Sequence, residues 1–234
     1  MYKLLFVVYF VFFLVYTGSA QIEPIDSLHA DFDKAYGLDV LLNNGRKYYP
    51  DSNPVTGHPF WKSEDSFRGK LTIKGKTFFD QQLKFNLHKQ EFLLIYLNLN
   101  GQEGQIILNS EVIDSVRTGT VLFVPNKNPE IEQNFIQLIH HGKLDCFIGW
   151  YKELKFNRIG VNIGYMYTSD RRKYYLVNNG VLYPFTGKSA FLRIFEGIQR
   201  SAIRKYMSSK RFRFKNMDEN ELRKLIIYSE KTVK

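Results

Sequence analysis

The sequence predicts a mainly β protein: an antiparallel β sandwich, roll or partly open barrel of about ten short strands, followed by short C-terminal α-helices. Short apolar runs alternate with turn residues at nearly regular spacing between residues 69 and 187, as in strands joined by tight turns. The 20 Phe and 15 Tyr residues suit the half-buried surfaces of such strands. From residue 188 onward, the apolar residues instead recur with a helical period.

Within the predicted β domain, residues 69–187, the turn signals divide the chain into strands. Lys74-Gly75 predicts a two-residue hairpin turn, and Asn178-Asn179-Gly180 predicts another near the end of the domain. The predicted strands are 70–73, 76–79, 82–87, 91–97, 105–108, 111–117, 120–124, 134–140, 143–152, 160–168, 173–177 and 181–185. Since most of the turns are short, successive strands are expected to pair antiparallel.

The C-terminal segment, residues 188–234, predicts three short helices. Ser189 can cap a helix over 190–195 that ends before Gly197. A second amphipathic stripe consists of Ile198, Ala202, Ile203, Tyr206 and Met207. Asn216 can cap a last helix over 217–230, with Glu219 placed to close a capping box. Helices this short are marginal in water by themselves, so they are expected to dock on the β domain.

The N-terminus has the pattern of a signal peptide, residues 1–20. Lys3 precedes thirteen apolar residues, and small residues precede a cleavage point between Ala20 and Gln21. The alternative is a membrane anchor, but thirteen residues fall short of the roughly 20 that a helix needs to cross a bilayer. Residues 21–68 are rich in turn formers and predict a loop-rich segment with a few short strands that packs on the β domain.

The single cysteine limits the classes of exported protein to which this chain can belong. With only Cys146 present, no intramolecular disulfide can form. An exported chain without disulfides is expected in a bacterial envelope, in the periplasm or associated with the outer membrane of a Gram-negative cell. Cys146 shares one face of a predicted strand with Leu144 and Ile148, which predicts a buried, unreactive thiol.

Several short motifs are similar to a family of proteins. They are residues 37–48 (GLDVLLNNGRKY), 57–61 (GHPFW), 69–76 (GKLTIKGK) and 83–87 (LKFNL), together with the helical tail. The chain thereby resembles uncharacterised secreted proteins of Bacteroidota, in which a Tyr-Asp pair often stands where this chain has Phe85-Asn86. The resemblance implies an envelope location and a shared β framework, and it brings no catalytic residue or substrate.

The sequence contains none of the common catalytic, zinc or calcium motifs, and no cofactor or metal is predicted. His140 and His141 are neighbours on a predicted strand, so they should point to opposite faces and not share one metal. His58 stands near Phe60 and Trp61, and these three residues form a candidate pocket. The favoured interpretation of this motif is instead a structural loop that its aromatic residues hold in the core.

The strongest charge feature is a basic segment between residues 188 and 215, which contains nine basic residues and only one acidic residue, Glu196. If one helix ran through Gly197, three of its arginines would share a face. The predicted anion-binding residues are Arg193, Arg200, Arg204, Lys205, Lys210 and Arg211. A binding role would make anionic lipid or lipopolysaccharide the partner, whereas the favoured interpretation of the charge is an ordinary solvated face.

Nucleic acid is not an expected partner, although residues 211–215 alternate basic and aromatic side chains. The same alternation is typical of a strand that docks its phenylalanines on a core. The sequence as a whole predicts a non-enzymatic binding or structural module of the envelope. The alternatives are a hydrolase with a site in a β-domain cleft near His58 and Trp61, and a subunit that an envelope protein recruits through the helical tail.

Overall fold

The computed structural model describes residues 38–50, 55–98, 100–159, 162–214 and 217–232. In these residues the fold is mainly β, with three helices near the C-terminus, which confirms the predicted class. The predicted signal peptide, residues 1–20, lies outside the described residues. None of the helices that the structure describes has the length and apolar character required to span a membrane.

The strands are β1 (Gly45–Lys47), β2 (Val55–Thr56), β3 (Phe67–Ile73), β4 (Lys76–Asn86), β5 (Glu91–Leu97), β6 (Glu103–Leu108), β7 (Ile113–Thr118), β8 (Val121–Pro125), β9 (Phe135–His140), β10 (Leu144–Tyr151), β11 (Leu154–Ile159), β12 (Asn162–Tyr167), β13 (Arg171–Asn178) and β14 (Val181–Phe185). The helices are α1 (Lys188–Arg193), α2 (Gly197–Ser209) and α3 (Glu219–Thr232). A 3₁₀ turn, Ser110–Val112, leads into β7.

Eleven of the described strands form one antiparallel sheet in the order β1-β6-β5-β4-β3-β7-β8-β9-β10-β13-β14. Among the described strands, β1 and β14 lie at the two edges of this sheet, which does not close into a barrel. A second sheet has the order β11-β12-β2, in which β2 pairs parallel to β12. The strand β11 is an addition to the strands that the sequence predicts.

The large sheet curls until its two halves face each other. In a flat sheet, five strand spacings from β5 to β9 would separate their residues by about 24 Å. The rings of Phe92 on β5 and Phe135 on β9 are only 4.9 Å apart. Phe85 on β4 likewise contacts Phe123 on β8, at 5.2 Å. These buried rings therefore fill the inside of a roll, and they supply much of its apolar burial.

The curl coincides with a bulge in β4. The sequence predicts two strands, 76–79 and 82–87, but β4 runs unbroken through this region. Its pairing with β3 shifts between Gly69 and Leu71, and Asp80 opposite this point has a φ of +51°. Bulges bend a strand and increase its twist. Gly69 is required here because a Cβ would lie 2.6 Å from the backbone oxygen of Arg117.

The three helices dock on the β structure through apolar faces. The α3 helix contacts β9 and β10 and buries Leu222, Leu225 and Ile226. The α2 helix buries Ile203 and Met207, and it contacts both α1 and α3. The rings of Tyr206 and Tyr228 stack 3.8 Å apart between α2 and α3. This tertiary packing supplies the stability that helices of this length lack alone.

The helix boundaries differ from the predicted ones. Gly187, whose side chain cannot cap, precedes α1 in place of Ser189. Gly197 is the first residue of α2 and does not terminate α1. The capping box of α3 also lies two residues later than predicted: the Glu221 amide donates to Asp218 Oδ1 at 2.7 Å, and the Asp218 amide donates to Glu221 Oε2 at 3.4 Å. Asn216 lies outside the described residues.

The end of α2 is a Schellman motif with an arginine where glycine is usual. The Phe212 amide donates to the Met207 carbonyl, and the Arg211 amide donates to the Ser208 carbonyl. Arg211 has a φ of +54°, a conformation that costs most L residues free energy. Phe212 then packs against Tyr206, with ring centroids 5.7 Å apart.

Candidate functional site

A buried lysine organises the loop that contains His58. Lys152 follows β10 and is 6% exposed. Its Nζ donates to the carbonyl oxygen of His58 at 2.9 Å and lies 3.2 Å from Asp170 Oδ1. Asp170 Oδ2 accepts the backbone N–H of Lys62 at 2.8 Å. A buried ammonium is tolerated only when it is paired in this way. The contacts of Lys152, which follows β10, and of Asp170, which precedes β13, therefore hold the loop against the ends of these two strands.

His58 is held by the loop itself. Its Nδ1 accepts the backbone N–H of Phe60 at 3.2 Å, and the ammonium of Lys152 lies 3.5 Å from the same nitrogen. Burial, followed by the positive charge of Lys152, lowers the pKa of His58. The neutral imidazole, with Nδ1 as acceptor, therefore fits these contacts at neutral pH.

Phe60 and Trp61, the other two candidate pocket residues, are buried at 6% and 5% exposure. The Trp61 ring meets Phe67, Phe123 and Trp150 edge-on, at centroid distances of 5.6, 5.2 and 6.1 Å. Its indole Nε1 has no hydrogen-bond partner among the described residues. The structure thus brings the three candidate residues together in one loop, but places the two aromatic side chains in packed surroundings.

Lys62, the residue after Trp61, lies in the wall of an open cleft. The cleft has a volume of about 530 Å³ and is lined by Lys62, Trp150, Asp170, Arg172, Asp218, Glu219 and Asn220. These residues come from the 58–62 loop, β10, the start of β13 with the residue before it, and the first turn of α3 with the residue before it. Sequence reasoning missed all of them as site residues because no local pattern joins positions so far apart along the chain.

Two cations of the cleft rest on aromatic rings. The Arg172 guanidinium lies over Trp150 at 5.4 Å and over Tyr174 at 5.7 Å. The Lys62 ammonium lies over Trp61 at 4.2 Å. Lys62 also has a φ of +62°, an uncommon conformation for a residue with a side chain. The hydrogen bond from its amide to Asp170 holds it there.

The predicted anion-binding residues lie on and around α1 and α2. Arg193, Arg204, Lys205, Lys210 and Arg211 are exposed. No carboxylate of the described residues lies within 4 Å of them. Their charges are therefore open to solvent and to a partner.

Arg200 has a different environment. It is half-buried, and its Nε donates to the Phe195 carbonyl at 2.7 Å. The helix does not continue through Gly197, so Arg193, Arg200 and Arg204 do not form the predicted single-face row. Arg200 instead stabilises the junction between α1 and α2.

The alternating segment after α2 docks its phenylalanines. Phe214 contacts Phe185 and Phe191 at 6.0 and 5.8 Å, while Arg213 is exposed. Residues 211–214, the described part of the segment, do not form a strand. Both phenylalanine rings are half-buried and pack on the fold, as a docking segment requires.

The adjacent histidines each have their own carboxylate partner. His140 Nε2 lies 2.6 Å from Glu230 Oε2, and His141 Nδ1 lies 2.6 Å from Asp145 Oδ1. Nowhere in the described part of the chain do three or more His, Cys, Asp or Glu side chains form a group that could hold a metal ion. Cys146 is fully buried, as predicted, and burial raises the pKa of its thiol.

No family model matches the sequence, and neither curated proteins nor solved structures give a significant match. The similarity to secreted proteins of Bacteroidota therefore stays a prediction. The same holds for a hydrolase site near His58 and Trp61.

Proposed function

We propose that this protein is a non-enzymatic envelope protein that binds the phosphate groups of anionic lipids, including lipopolysaccharide, through its basic C-terminal helices. The binding residues are Arg193, Arg204, Lys205, Lys210 and Arg211, called the basic surface below. Arg200 is left out because its guanidinium is used within the fold. The observation that carries the proposal is the exposure of these five cations without a described carboxylate partner.

An exposed apolar side chain beside these cations supports a lipid surface over a soluble polyanion. Ile198 is 89% exposed, and Met207, which lies on the opposite side of α2, is buried. Lys205 follows Ile198 by seven residues, which places both on the same outer face of the helix. Interfacial helices combine basic and apolar side chains in this manner.

The expected strength is modest. Each basic residue near an anionic membrane contributes about 1 kcal/mol at low salt, and physiological salt screens the attraction over roughly 8–10 Å. Five such residues supply about 5 kcal/mol at most, which corresponds to a dissociation constant of about 0.2 mM at the lowest. The proposed binding is therefore peripheral, reversible and sensitive to salt.

The test is co-sedimentation with vesicles of phosphatidylglycerol and phosphatidylcholine, at low and high salt. The variant Arg193→Gln/Arg204→Gln/Lys205→Gln should lose most of the binding at low salt and none of its helical content. The control variant Arg117→Gln/Lys127→Gln/Lys143→Gln removes the same charge from exposed positions elsewhere and should bind as wild type. Equal binding by the two variants, or binding that salt does not weaken, would show that the basic surface is only solvated.

The proposed envelope location rests on the predicted signal peptide. The intact mass of protein from the cell envelope should correspond to a chain that starts at Gln21. A membrane-embedded product that retains residues 1–20 would contradict this part of the proposal and leave the vesicle experiment unaffected.

A further inference from the structure

The cleft next to the His58 loop carries both signs of charge. Lys62 and Arg172 are positive, whereas Asp218 and Glu219 are negative. Within the part of the chain that the structure describes, none of these four side chains forms an ion pair. The fifth charged residue, Asp170, is already matched by the buried ammonium of Lys152. The cleft thus has two cations and two carboxylates without an ion-pair partner among the described residues.

The chemistry of the walls favours some ligands over others. Sugars usually stack on an open aromatic face, but Trp150 is only 6% exposed and the Arg172 guanidinium covers it. A simple anion would meet repulsion from Asp218 and Glu219, and a simple cation would meet repulsion from Lys62 and Arg172. A ligand with one charge of each sign satisfies both pairs.

We propose that this cleft binds a small zwitterion, an α-amino acid or a dipeptide. Its carboxylate lies toward Lys62 and Arg172, and its ammonium lies toward Asp218 and Glu219. Charge-assisted hydrogen bonds of this kind are the strong ones in proteins. The volume of about 530 Å³ falls within the range of small-molecule sites, about 300–1,000 Å³. The site uses no residue of the basic surface, so it stands independently of the proposed lipid binding.

The cation–π contacts of Arg172 and Lys62 hold the positive side of the cleft in place. Arg172 lies against two rings, and its Nη1 also donates to the Met217 carbonyl at 3.5 Å, next to the first turn of α3. The backbone of Lys62 is held by the hydrogen bond that its N–H donates to Asp170 Oδ2. The positive side of the cleft is therefore positioned before a ligand arrives, which reduces the entropy lost on binding.

Tryptophan fluorescence is a direct readout because the chain has two tryptophans, and their rings lie 6.1 Å apart with Trp150 in the cleft wall. The probe is alanyl-alanine, compared with its N-acetylated form, its C-terminal amide and glucose. Alanyl-alanine should give a saturable change, and removal of either charge from the ligand should weaken binding about tenfold or more. No saturable change up to about 10 mM, equal responses to the capped forms, or a response to glucose alone would overturn the proposal.

Matched variants then test which residues of the cleft bind the ammonium of the ligand and which bind its carboxylate. Asp218→Asn removes a charge and keeps a good N-cap, and Glu219→Gln removes the second charge without touching the cap. Each should weaken alanyl-alanine and leave the N-acetylated form unchanged, whereas Lys62→Gln should weaken alanyl-alanine and leave the amide unchanged. Arg171→Gln, next to Arg172 and outside the cleft wall, is the control. All of these variants should unfold at the same temperature as wild type. If they do, loss of binding in Arg171→Gln would refute the assignment, and so would wild-type affinity in all three cleft variants.

Discussion

The buried Lys152 and the residues of the basic surface have opposite environments. Lys152 is buried, and its ammonium contacts a backbone carbonyl and the carboxylate of Asp170. The residues of the basic surface are exposed and have no described carboxylate partner. A positively charged side chain therefore serves the fold in one place and is exposed to solvent in the other.

The difference follows from desolvation. A charge that leaves water loses several kcal/mol and must recover this loss from fixed partners, so the position of Lys152 is strongly constrained. A charge that stays in water loses nothing and gains little from an ion pair. A basic residue of the first kind should therefore matter for folding, and one of the second kind for binding.

The largest effect is expected from Lys152→Met. The variant leaves the His58 carbonyl and the Asp170 carboxylate without their ammonium partner, and removal of one member of a buried pair costs about 3–5 kcal/mol of unfolding free energy. Urea unfolding followed by circular dichroism measures this loss. Lys155→Met is the matched control, because Lys155 pairs with Glu153 at 3.0 Å on the surface and should cost less than about 1 kcal/mol. Similar losses in the two variants would contradict the comparison.

An intermediate change in the unfolding free energy, a gain in place of a loss, is expected from Arg211→Gly. Glycine adopts the left-handed conformation at this position without strain, so the variant should gain about 1 kcal/mol of unfolding free energy. It should also bind anionic vesicles less well, since it loses a charge of the basic surface. The control Lys210→Gly loses the same charge where φ is −91°, and it should not gain stability. A less stable Arg211→Gly protein would show that the arginine stabilises the fold.

The smallest effect is expected from Glu230→Gln and concerns acid stability. The hydrogen bond with His140, together with the Lys143 amide, lowers the pKa of Glu230 from its ordinary value of 4.5. The folded protein thus binds fewer protons than the unfolded chain below this pH. This contribution to the unfolding free energy is present above pH 4.5 and is lost as the pH falls through the folded pKa.

The Glu230→Gln variant should therefore be less stable than wild type near neutral pH, by less than about 1 kcal/mol, and should lose less stability on acidification. Thermal unfolding of both proteins between neutral pH and pH 3 (about 1.5 units below the ordinary value) measures the difference. Parallel pH profiles would show that the contact with His140 is not important.

The sequence predicted those features that depend on neighbouring residues. Lys74-Gly75 and Asn179-Gly180 form hairpin turns with positive φ at both central residues, because glycine and asparagine tolerate that conformation and lysine is held by the strands. The alternation of Leu144, Cys146 and Ile148 correctly predicted the buried face of β10. The amphipathic stripe correctly predicted that Ile203 and Met207 of α2 are buried, but it was wrong for its first member, Ile198, which is 89% exposed on the opposite side of the helix.

Tertiary structure alone decided the curl of the sheet, the cluster around Lys152 and the wall of the cleft. Phe92 and Phe135, and Lys152 and His58, are distant in sequence, and no local pattern indicates that they meet. The start of α3 shows the same limit on a smaller scale, since the sequence predicted a cap at Asn216 and the structure forms a capping box between Asp218 and Glu221. Turn conformation and strand alternation depend on the steric properties of adjacent residues, whereas the pairing of a buried charge and the closure of a core depend on which distant surfaces exclude water together.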